Sequence, residues 1–85
     1  MINSQTIEKF KKSDFEKIMN STIKITLKKP IKHKLMEEEE SVFIGQIVSL
    51  GLSGNSPHLP VSIDFLIKNS DIKITPNIFQ IENIE

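Results

Sequence analysis

The sequence predicts a mainly β fold (α+β): an N-terminal amphipathic helix over residues 4–20, then a five-stranded, strongly bent small antiparallel barrel over residues 22–85. Three observations carry this expectation. The chain has fifteen isoleucines, six leucines and no alanine, a bias that suits pleated sheet better than helix. Clean alternation of apolar and polar residues occurs over Thr22–Lys28, and Val61–Lys68 repeats it apart from Leu66, the period of half-buried strands. The third is the run Ser41–Leu52, SVFIGQIVSLGL, apolar and uncharged apart from its hydroxyl and amide residues, with Gly45 inside it. A glycine within a strand marks a sharp bend or a close backbone approach, so this run reads as one long bent strand with the others wrapped around it.

Eighty-five residues make one domain, 1–85, and a chain of this length buries roughly three fifths of its unfolded surface. With no cysteine, neither disulfides nor the usual structural zinc sites can hold the fold, and burial alone must do so. That usage suits a reducing compartment. The first residues, MINSQTIEKFKK, have no apolar secretory core, and no segment reaches the roughly 20 apolar residues that span a bilayer. A soluble, cytoplasmic protein with no membrane contact is therefore expected. Abundant Ile, Lys and Asn beside missing Arg and Ala fits AT-rich coding, as in a low-GC bacterium, its phage or its plasmid. Eleven lysines balance eleven carboxylates, so only local patches, and no net field, are available to attract a polyanion.

Taken in order, residues 4–20 place Ile7, Phe10, Phe15, Ile18 and Met19 on one helical stripe with Glu8, Lys9, Lys12, Glu16 and Lys17 mostly opposite. Ser13 with Glu16 three residues later is a capping-box pattern that predicts a restart or kink, and Asn20 and Ser21 are stop signals. In the first strand Ile23, Ile25 and Leu27 share one face, and Pro30 removes a ladder donor and weakens any continuation, so that the strand ends from Lys28 onward. The segment KKPIKHK and the consecutive carboxylates Glu37–Glu40 then form a long charged connection, because like charges in series seek solvent. After the bent strand, GLSGNSPHLP is the strongest turn signal in the chain. Val61, Ile63, Phe65 and Ile67 give a third strand, and Asn69–Asp71 a tight turn into Ile72–Thr75, the fourth. Ile78, Ile81 and Ile84 repeat every third residue, as a single helical turn at 76–79 leading into a short last strand requires.

This order of elements resembles Sm-like small barrels, in which a first helix lies against the open end of a five-stranded sheet. At the level of residues, FIGQIVSLG and ITPNIFQIENIE look faintly like the C-terminal part of YolD-like bacterial proteins. That likeness covers residues 10–85 and implies a DNA-damage-response role; the tryptophan-containing N-terminal stretch associated with the family is absent here.

Candidate chemistry is sparse. Gly51-Leu52-Ser53-Gly54 superficially matches a nucleophile elbow, but the second glycine comes one place early and a triad would need His33 or His58 from distant loops. It reads as a turn. Both histidines sit in polar loops, His33 between two lysines and His58 between two prolines, and neither has a partner that would make it a general base. Glu37–Glu40 lack the alternate spacing and turn glycine of a calcium loop. No catalytic, cofactor-binding or metal-ligating residue is assigned, and no enzymatic activity is expected. The remaining candidate is a basic surface formed by Lys24 and Lys28 on the outer face of the first strand and Lys29, Lys32 and Lys34 in the following loop. Such faces on small barrels bind nucleic acid by neutralising the backbone and stacking bases on aromatics. With no Arg, Tyr or Trp and with the phenylalanines mostly in core phase, a solvated face is the simpler account. The sequence therefore favours a non-catalytic interaction module with a protein partner, an adaptor or regulator, with homo-oligomerisation through an open sheet edge as a variant of that reading. Nucleic-acid binding through the five lysines is the alternative.

Overall fold

The computed structural model describes residues 1–55 and 59–85. It is mainly β: β1 (Ile2–Asn3), α1 (Ser4–Ile7), α2 (Lys12–Glu16), β2 (Ile23–Ile31), β3 (Glu40–Leu52), β4 (Pro60–Ile67), β5 (Lys73–Ile74), a 3₁₀ turn (Ile78–Gln80) and β6 (Ile81–Ile84). All strand pairs are antiparallel and form one sheet in the order β1-β6-β2-β3-β4-β5. Among the described residues, no helix is long and apolar enough to cross a membrane.

Two expectations are corrected. The single helix over 4–20 is two short ones, and the break falls at Glu8–Lys11 rather than at Ser13. Lys11 is extended (ψ 171°) and donates its N–H to the Asp14 carboxylate at 2.9 Å, which caps the restart. The break sets the Phe10 ring edge-on to Phe15 at 4.9 Å between centroids. Segments this short do not hold as helices alone; burial of Ile7 and Phe15, both 0% exposed, holds them. The second correction concerns the barrel, because the sheet has six strands and does not close. β6 spends one edge on β2 and the other on the added strand β1, so neither is left for β5. β5 itself is two residues long and runs toward Pro76, which has no N–H to offer a ladder.

The alternation that defined the strands is the burial pattern. Ile23, Ile25 and Leu27 face inward from β2, Phe43 and Ile47 from β3, Ile63 and Phe65 from β4, and Ile78, Ile81 and Ile84 from the C-terminal segment. β2 runs past the end expected at Pro30, with Lys29 inside the strand and not in the following loop, because its register against β3 slips between Thr26 and Ile31, the kind of irregularity at which a missing donor is tolerated. Asn20 and Asn69 adopt left-handed φ of 64° and 61°, which asparagine tolerates better than most residues. Asn20 ends the helical region and donates its N–H to the Ile47 carbonyl at 3.1 Å, tying that region to β3.

β3 exchanges partners midway. Glu40–Gly45 pairs with β2 and Gly45–Leu52 with β4, with Gly45 opposite Ile23 on one side and Ile67 on the other. A β-carbon at Gly45 would collide with the Leu66 carbonyl oxygen and come within 2.9 Å of the Leu66 carbonyl carbon and 3.0 Å of the Phe65 ring. This is the close approach that the internal glycine predicts.

Candidate functional site

The five lysines expected to form one basic face are divided by the fold. Lys24 lies on the outer face and pairs with Glu85 at 2.9 Å, and Lys28 reaches Glu8 at 3.4 Å. Both pairs are substantially exposed, which makes them weak. Lys28 and Lys29 line a groove of about 460 Å³ together with Pro30, Ile31, Phe79 and Gln80. Lys32 lines a second groove of about 350 Å³ with Ile31, His33, Lys73, Ile74, Thr75, Pro76 and Gln80. Ile31 and Gln80 belong to both, so the two grooves adjoin. Lys24 and Lys34 line neither.

Together these grooves run between the end of β2 and the 3₁₀ turn on one side and β5 on the other. They form one seam between segments that no strand pairing joins. Lys28, Lys29, Lys32 and Lys73 border it, and Glu40 enters β3 opposite Ile31, so the acidic run Glu37–Glu40 lies beside it.

Sequence reasoning passed over Lys73 and Phe79. Phe79 is 63% exposed because the turn that carries it is fixed from both ends: the Asn77 side chain accepts from the Phe79 N–H at 2.9 Å, and Gln80 Oε1 accepts from the Asn77 N–H at 2.6 Å. With Ile78 and Ile81 drawn into the core on either side, the residue between them must point out. The i, i+3 repeat of isoleucines already held this signal, since Phe79 falls off its stripe.

The residues considered for catalysis are engaged in local structure. His33 Nδ1 accepts from the Leu35 N–H at 3.1 Å, and the His33 N–H reaches Met36 Sδ at 3.4 Å, within one turn. Ser53 Oγ accepts from the Asn55 N–H at 3.3 Å, as a serine-capped turn does. Ser49, which the sequence did not single out, donates its hydroxyl to the Asp64 carboxylate across the β3–β4 ladder. His58 lies outside the described residues. Among the described residues, no group of three or more His, Cys, Asp or Glu is placed to hold a metal ion.

No protein-family model, curated protein or solved structure matches this chain.

Proposed function

We propose that this chain is a non-catalytic binding module of the reducing cytoplasm that takes single-stranded nucleic acid in its basic seam. The observation that carries this is Phe79, a solvent-facing aromatic in the same groove as Lys28 and Lys29, with Lys32 and Lys73 in the adjoining groove. Lysines along a groove neutralise a phosphate backbone, and an exposed ring offers a base a surface to stack on whatever its identity. The sequence favoured a protein partner because a small barrel leaves an open edge, and it counted against nucleic acid that the chain has no Arg, Tyr or Trp and that its phenylalanines fall mostly in core phase; the exposed Phe79 answers the last of these points. Only unstacked bases can lie on such a ring, which favours a single strand over a duplex. Lys28, shared with Glu8, contributes least of the four.

The test is a fluorescence-anisotropy titration of a labelled single-stranded oligonucleotide over a salt series. Three to four phosphate contacts give a log–log salt slope of about 2 to 3, at roughly 0.7 per contact. Replacing Lys29, Lys32 and Lys73 together with glutamate should abolish binding and leave the thermal melt nearly unchanged. Phe79→Ala should weaken binding by about 1–3 kcal/mol, the value of one stacked base. A salt-independent affinity, or one unchanged in both variants, would refute the assignment.

A further inference from the structure

A separate region of β3 has main-chain groups that meet no partner among the described residues. Lys24 exchanges main-chain bonds with Glu85, at 3.0 and 2.7 Å, and the Ile44 carbonyl accepts from the Lys68 N–H at 2.8 Å. The opposed residues Lys24 and Ile44 therefore turn their main-chain groups away from each other. Hydrogen-bonded and non-bonded pairs alternate along an antiparallel ladder, and Thr26–Val42 lies two residues on, so it repeats the non-bonded arrangement. The N–H and C=O of Val42 consequently face the side that a longer β4 would occupy. β4 ends at Ile67, and after Lys68 the chain turns at Asn69, φ 61°, toward β5. Among the described residues, none pairs with Val42 on that side.

The side chains here are also open. Val42 is 48% and Ile44 50% exposed, and Glu37–Glu40, all exposed, lead directly into this edge. The two ion pairs found among the described residues, Lys24–Glu85 and Lys28–Glu8, involve none of these four carboxylates.

We propose that the β3 edge at Glu40–Phe43 is a docking site for an extended basic segment of a partner protein, which adds a strand beside Val42. Main-chain bonds to Val42 supply attachment, an apolar residue laid against Val42 continues the outer face, and lysines or arginines meet the acidic run. A second copy of the chain is the poorer occupant, because it would bring its own Glu37–Glu40 to the same edge and set like charges against each other. The site adjoins the basic seam at Glu40 but uses none of the seam's lysines and does not depend on it.

The probe is a short labelled peptide alternating lysine and valine, with a glutamate–valine peptide as its control, titrated by anisotropy against the full chain. The lysine–valine peptide binds, the control does not, and the Val42 amide becomes protected from hydrogen exchange in the complex. Val42→Pro removes the outward N–H without removing a bond to β2, a placement that edge strands tolerate, and weakens binding by about tenfold or more. Should Val42→Pro fail to melt cooperatively, simultaneous replacement of Glu37–Glu40 with glutamine carries the test, with the same expected loss. Equal binding of both peptides, unchanged affinity in the variant used, no binding by about 1 mM, or a concentration-dependent dimer without peptide would each overturn the proposal.

Discussion

The crossing at Gly45 and the seam at Ile31 and Gln80 are both places where one half of the sheet meets the other, and they are opposites. At the crossing, a single residue of β3 lies opposite both neighbouring strands, Phe65 is fully buried beside it, and no room remains for a methyl group. At the seam, β5 runs out after two residues, the strands do not meet, and lysines and an exposed aromatic line the gap. One region is defined by what packing forbids and the other by what pairing leaves undone. Stability should therefore be concentrated at the first, and binding at the second.

The largest expected effect comes from overfilling or emptying the crossing. Gly45→Val drives β-carbon and methyl atoms into the Leu66 carbonyl and the Phe65 ring and should destabilise the fold by about 3 kcal/mol or more. For a domain of this size each kcal/mol lowers Tm by roughly 4–8 °C, so a melt within a degree or two of the parent would contradict the crossing geometry. Phe65→Ala, which removes a fully buried ring, should cost about 3–5 kcal/mol. Phe79→Ala at the seam sharpens the contrast: it removes the same side chain from a 63% exposed position and should move stability by no more than about 0.5 kcal/mol. If the two alanine variants melted alike, stability and binding would not be partitioned in this way.

Smaller effects are expected at the surface ion pairs. Lys24→Ala, which frees Glu85, should change stability by under about 1 kcal/mol, and less in high salt. A loss several times larger would mean that the Lys24–Glu85 contact holds β6 onto β2.

What could be read from the sequence divides along the same line. The strand phases, the inward isoleucines and the tight approach at Gly45 follow from periodicity and from the steric meaning of one glycine, both of which are local. The helix break was legible as a break but misplaced, because Lys11 carries no capping side chain and the cap comes from Asp14 three residues later. The open sheet could not be read, since it depends on Ile2 and Asn3 taking the free edge of β6, a pairing between chain ends that no local pattern announces. For the same reason the lysines were grouped by sequence proximity. The fold keeps Lys28, Lys29 and Lys32, sets Lys24 and Lys34 apart, and recruits Lys73 from the far edge.

The most direct test of the division between crossing and seam is a two-dimensional NMR titration of the protein with a single-stranded oligonucleotide at low salt. Amide shifts concentrated at residues 28–33, 73–75 and 79–80, with Gly45 and Phe65 silent, are the predicted result. Shifts centred on Val42 and Ile44, or none at all at the seam, would contradict it.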